Sequence, residues 1–141
     1  MNNTDFIIER SILKIGNKLN NIRNDDLKKH QLTASQSETL LYFYKQPGMT
    51  VADLKLYLQV SHQAARNIVE RLKERNLVFS TPSREDARAN AVFLSEEGEH
   101  LAQCLTQTGT SIATRLLDSL DDSEKSELLR MLSVISDNMD K

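Results

Sequence analysis

With a single cysteine, Cys104, in 141 residues, the chain can build neither an intramolecular disulfide framework nor a cysteine-rich zinc site. It shows no secretory signal pattern, and no apolar run approaches the ~20 residues needed to span a bilayer. The expectation is a soluble, cytoplasmic protein with no membrane partner. Histidine is also scarce: His30, His62 and His100 are scattered, with no pair at metal-ligand spacing on one helix. A nucleophile elbow and a glycine-rich phosphate loop are missing as well, so the expectation is a protein that is no enzyme and needs no cofactor or metal. Charge of one sign is the last absence. With 18 basic and 20 acidic residues the formal net charge is −2, so no argument for nucleic acid can rest on net charge.

Only the distribution of charge is informative. From Ser61 to Asn90 the basic residues are Arg66, Arg71, Lys73, Arg75, Arg84 and Arg88, against Glu70, Glu74, Glu85 and Asp86. From Asp118 to Lys141 acidic residues predominate instead. A relatively basic middle suits a surface facing phosphate, although ordinary solvated helix faces would give the same count. The length is that of about one domain and suffices to bury a real core.

Ile8, Ile12, Ile15, Leu19 and Ile22 alternate at spacings of four and three, the seam of a coiled-coil-like helix. A second seam is Leu128, Leu132, Ile135 and Met139, and a longer helix carries Leu101, Leu105, Ile112 and Leu116. Two outcomes stand open. These stripes bury on one another within a subunit, or they also build the interface of a closed two-fold homodimer, the commonest oligomer.

Between the seams lie short capped helices. Thr33-Ala34-Ser35-Gln36 is a capping box opening a helix through Leu40, Leu41, Phe43 and Tyr44 that stops at Gln46-Pro47-Gly48. Thr50-Val51-Ala52-Asp53 opens a helix of one to two turns with Leu54, Tyr57 and Leu58 inward, and after a tight Gln59-Val60 turn Ser61 caps the next. Two helices so spaced predict a helix-turn-helix. At 100° per residue, Ala64, Ala65, Ile68, Val69 and Leu72 share the inward arc of the second helix. His62, Gln63, Arg66 and Asn67 share the outward arc of its first two turns, where a recognition helix meets base edges. Gln and Asn can pair with adenine and Arg with guanine.

The helical pattern ends at Asn76, and a hairpin follows: Leu77-Val78-Phe79, a charged tip from Ser83 to Asn90, then Ala91-Val92-Phe93-Leu94. So small a hairpin must lean on a helical body. Arg84 and Arg88 on this wing suit a narrow minor groove or phosphate, and Asp86 suits support of the wing rather than DNA contact. The acidic run Asp121-Asp122-Ser123-Glu124 fits the capped start of a last helix. The fold class expected is mainly α with a small β-hairpin wing.

These residues resemble the MarR family of bacterial winged helix-turn-helix regulators. Leu32-Thr33-Ala34-Ser35-Gln36, Thr50-Val51-Ala52-Asp53-Leu54, Val60-Ser61, Val69-Glu70-Arg71-Leu72 with Asn76-Leu77-Val78, Asp86-Ala87-Arg88 and Leu94-Ser95-Glu96-Glu97-Gly98 stand in register along nearly the whole chain. The resemblance implies a sequence-specific transcriptional regulator, homodimeric on double-stranded DNA at a pseudo-palindromic operator. It places dimerisation helices in residues 1–30 and 96–141 around a DNA-binding lobe in residues 31–95. Ser61, His62, Gln63, Arg66 and Asn67 match the family's DNA-reading turns, Arg88 its wing arginine and Asp86 the acidic residue that steadies the wing. Arg66 and Asn67 depart from the usual Ser or Thr and Arg, so the operator sequence does not carry over. Asn76 replaces a usual Gly, and Asn tolerates the left-handed turn. Family members respond to small lipophilic effectors, for which Tyr42, Phe43, Tyr44 and Tyr57 are candidate pocket residues, Tyr42 and Tyr57 foremost. Other relatives sense oxidants through a cysteine in the first helix; here Cys104 is the thiol to consider, and a buried, inert side chain is expected. A winged-helix module that binds protein rather than DNA is the remaining alternative.

Overall fold

Local capping chemistry sets the boundaries of the helices. The computed structural model describes residues 3–84 and 88–141. Along them run α1 (Thr4–Lys29), α2 (Ala34–Lys45), α3 (Val51–Leu58), α4 (His62–Glu74), β1 (Val78–Pro82), β2 (Asn90–Leu94), α5 (Glu96–Leu116) and α6 (Asp122–Met139). The Thr33 hydroxyl accepts from the Gln36 amide at 3.1 Å, and Gln36 Oε1 accepts from the Thr33 amide at 3.1 Å. Thr50 with Asp53 and Asp121 with Glu124 repeat the reciprocal box. Ser61 Oγ accepts from the Ala64 amide at 3.1 Å and opens α4. Each such cap satisfies amides that have no partner inside the helix, worth about 1 kcal/mol. Gln59 (φ 56°) and Asn76 (φ 60°) take left-handed conformations after α3 and α4, as the sequence led one to expect at Asn76.

The chain falls into two compact units, Met1–Thr106 and Gln107–Lys141. In the first, Leu40 and Phe43 of α2, Leu54 of α3, Val69 and Leu72 of α4 and Val92 of β2 are almost wholly buried in one core. On α4, Ala65, Val69 and Leu72 are buried, Ala64 and Ile68 partly so, which is the expected inward arc. Tyr57, expected inward, is instead 54% exposed: Leu54 takes the core position on short α3, and the Tyr57 ring lies over Tyr42. In the second unit the end of α5 leads through a turn at Ser119 (φ 77°) into α6.

β1 and β2 pair antiparallel from Val78↔Leu94 to Pro82↔Asn90. The ladder outruns the apolar residues because it is made by backbone groups, and it closes where the Ser83 amide donates to the Ala89 carbonyl at 2.9 Å. Its other edge is tied down too. The Gly48 amide donates to the Val92 carbonyl and the Val92 amide to the Met49 carbonyl, both at 2.9 Å, so the α2–α3 connection is bonded to the outer edge of β2. Ser95 completes the base of the wing: its Oγ donates to the Asn76 carbonyl at 2.6 Å and accepts from the Gly98 amide at 3.0 Å.

The apolar seams are buried only in part within the chain. Ile8, Ile12, Ile15 and Ile22 of α1 are exposed, as are Leu132, Ile135 and Met139 of α6 and Leu116 of α5. Leu105 is buried, and Leu19, Leu101, Ile112 and Leu128 are half-buried.

Candidate nucleic-acid interface

On α4 the side chains at i, i+4, i+8 and i+11 share one stripe, and these are His62, Arg66, Glu70 and Lys73. The stripe forms one wall of a cleft of about 250 Å³. Facing it are Ser80, Arg88, Ala89 and Asn90 of the hairpin, and Thr50, Val51 and Ala52 at the start of α3 close one end. The fold therefore brings His62 and Arg66 of the helix together with Arg88 of the wing. Among the described residues, four cationic or ionisable nitrogen side chains line it against one carboxylate, and Lys73 Nζ lies 3.3 Å from Glu70 Oε1. The chemistry of the described lining is that of a surface for anionic oxygen.

Gln63 and Asn67 stand on the exposed face of α4 beside this stripe, where Gln63 Nε2 donates to Asn67 Oδ1 at 2.9 Å. That bond holds the two amides as one unit and leaves Gln63 Oε1 to accept and Asn67 Nδ2 to donate. Ser61 spends its oxygen lone pair on the α4 cap and keeps its O–H to donate. Arg84 is exposed in the bend after β1 and does not line the cleft. Asp86, the expected wing support, lies outside the described residues.

Lys73 and the start of α3 were not among the residues the sequence assigned to DNA contact. The signal for Lys73 was present, since the outward stripe of α4 continues past its second turn. Arg75, counted among the basic residues, faces the protein: its guanidinium donates to the carbonyls of Gln31 at 2.9 Å and His30 at 3.0 Å. There it closes the end of α1, where unpaired carbonyls attract a cation.

Two of the three tyrosines expected to line an effector pocket, Tyr42 and Tyr57, stack on each other. Tyr42 and Tyr57 have ring centroids 4.6 Å apart, and Phe43 meets the edge of Tyr42 at 5.2 Å. Burial pushes the Tyr42 phenol above its ordinary pKa, with the Asp53 carboxylate and then Tyr57 adding to the shift.

Cys104 is exposed, which corrects the expectation of a buried thiol. The buried positions of α5 are Gly98, Ala102 and Leu105, and Cys104 falls about 100° from Leu105 and about 200° from Ala102 around the helix. It lines a shallow hollow with His30, Glu96, Glu97, His100 and Leu101. Among the described residues, no group of three or more His, Cys, Asp or Glu side chains is placed to hold a metal ion. Among them, too, no helix is long and apolar enough to cross a membrane.

Residues 30–89 match the model of the MarR family. The chain is similar to the HTH-type transcriptional repressor NicR of Pseudomonas putida, 32% identical over 108 residues that cover 77% of this chain and 68% of the relative. It is similar also to the uncharacterized HTH-type transcriptional regulator YybA of Bacillus subtilis, 22% identical over 95% of this chain and 89% of that one. Its fold is similar to that of MepR in the crystal structure of the S. aureus MepR–DNA complex, with a TM-score of 0.80 over 91% of this chain and 93% of that one at 20% identity.

Proposed function

The chain belongs to the MarR family and is a DNA-binding transcriptional regulator, and from that premise we propose that it acts in the cytoplasm as a homodimer on a pseudo-palindromic operator. Residues 31–95 form the DNA-binding lobe, and residues 1–30 and 96–141 carry the dimer. The two α4 helices enter successive major grooves and the wings reach the flanking minor grooves. The observation that supports this reading most is the convergence of His62 and Arg66 from α4 with Arg88 from the hairpin on one cleft. In this reading His62, Gln63, Arg66 and Asn67 meet base edges, while Ser61, Arg84 and Arg88 meet the backbone or the minor groove. The exposed seams of α1 and α6 are the surfaces a second copy covers. A small lipophilic effector releases the operator, which requires a coupling of only about 1–3 kcal/mol.

Titration of a labelled promoter fragment across a salt series tests the DNA reading. The association constant is expected to fall steeply and log-linearly with salt as phosphate contacts release counterions. Binding of the fragment that is absent, or indifferent to salt, would leave the module that binds protein as the better account.

A further inference from the structure

The chain has four Phe, three Tyr and no Trp, and four of these seven aromatic residues line one cleft that the DNA reading does not use. The cleft has a volume of about 360 Å³, within the range of roughly 300–1,000 Å³ usual for small-molecule sites. Phe43 and Tyr44 at the end of α2, Phe79 and Phe93 of the hairpin and Glu99 in the first turn of α5 form its walls. Strand alternation puts the aromatic pair there. Ser80 and Val92 line the cationic cleft beside α4, so their neighbours Phe79 and Phe93 point to the opposite face.

Phe79 and Phe93 are cross-strand partners with ring centroids 5.7 Å apart and planes 23° from parallel, so this wall is built before any ligand arrives. Gly48 packs beside it, where a Cβ would come into ordinary contact with the Phe93 ring at 3.4 Å. Tyr44 is held from the other side, where its hydroxyl accepts from Gln103 Nε2 at 3.2 Å. Even so, Phe79 remains 48% exposed, so the core of this chain does not account for it. Glu99 is the one charged side chain among the described residues lining the cleft.

Aromatic rings attract cations through their quadrupole, and a carboxylate beside them adds the counter-charge. No basic side chain among the described lining residues offers an anion a partner. We propose that this cleft binds a small organic cation bearing an alkylated ammonium group, packed against Tyr44, Phe79 and Phe93 and neutralised by Glu99. An alkylated ammonium suits it better than a primary one, because its methyl groups fill apolar space and it needs no hydrogen-bond acceptor for each proton.

Calorimetric titration of the full chain with choline and with its uncharged isostere 3,3-dimethylbutan-1-ol tests this. The measurement contains no DNA, so its outcome is independent of the operator reading. Saturable binding of choline at one per subunit is expected, at least about tenfold tighter than the alcohol. Phe79→Ala and Glu99→Gln should each weaken choline several-fold while leaving the thermal melt in place. Glu99→Gln keeps shape and removes only charge, so it decides the matter if Phe79→Ala melts early. No saturable heat, equal affinity for the alcohol, or unchanged choline affinity in Glu99→Gln would overturn the proposal.

Discussion

At the scale of single residues, two arginines that share the cationic cleft are expected to do different work. Arg66 projects from the second turn of α4 next to the joined amides of Gln63 and Asn67, where a guanidinium can grip the two acceptors of a guanine. Arg88 sits on the hairpin, where contact falls on phosphate or on the narrow minor groove. Arg66→Ala should therefore reduce the ratio of operator to random-DNA affinity by about 1–3 kcal/mol. Arg88→Ala should weaken both kinds of binding alike and lower the salt slope by about one. Parallel salt titrations on both DNAs make the comparison, and equal effects of the two substitutions would refute the division. The outward set His62, Gln63, Arg66 and Asn67 was legible in the sequence because helical geometry alone assigns it. Exposure at Cys104 and Tyr57 was not, since the choice between two flanks of a helix depends on neighbours distant in sequence.

At the scale of elements, the base of the wing depends on Gly98. In α5 a Cβ at this position would fall on the carbonyl oxygen of Leu77, and it would also crowd Leu94 Cβ at 3.3 Å. That carbonyl is fixed, because it accepts from the Ser95 amide at 3.0 Å while Ser95 Oγ bridges Asn76 and Gly98. Neither side has a flexible end that can yield, so the start of α5 must move away from the β1 entry. Gly98→Ala should cost at least about 2 kcal/mol in chemical denaturation, and should loosen the hairpin against α4 so that operator affinity falls as well. Wild-type stability in this variant would show that α5 can shift freely. The helix boundaries could be read in advance because a cap is an i→i+3 event between recognisable residue types, as at Thr33, Thr50, Ser61 and Asp121. The pairing of Gly48 and Met49 with Val92 could not, because backbone bonds across more than forty residues require no particular side chain. Arg75 failed to announce itself for the same reason: its acceptors are the carbonyls of His30 and Gln31.

At the scale of the whole molecule, a nearly neutral chain must bind DNA through local placement of charge, and one cleft of a few cations supplies modest affinity by itself. In the homodimer proposed above, the doubled site would supply the rest, because the second half-site is then met at high effective concentration. The chain carries apolar surface suited to that doubling. Ile8, Ile12, Ile15 and Ile22 follow the four-three spacing of a seam along α1, and all four are exposed. A lone subunit would leave this stripe in water. In the homodimer proposed above, Ile12→Asp combined with Ile15→Asp would place two carboxylates in an apolar contact, and neither position belongs to the buried core of the first unit. The double variant should keep its helical circular dichroism and sediment at the mass of one subunit, while the parent chain sediments at two. Its affinity for a full operator should fall by about 100-fold or more, toward that for a single half-site. A variant that stays dimeric would move the interface away from α1, and a monomer with undiminished operator affinity would show that one lobe suffices.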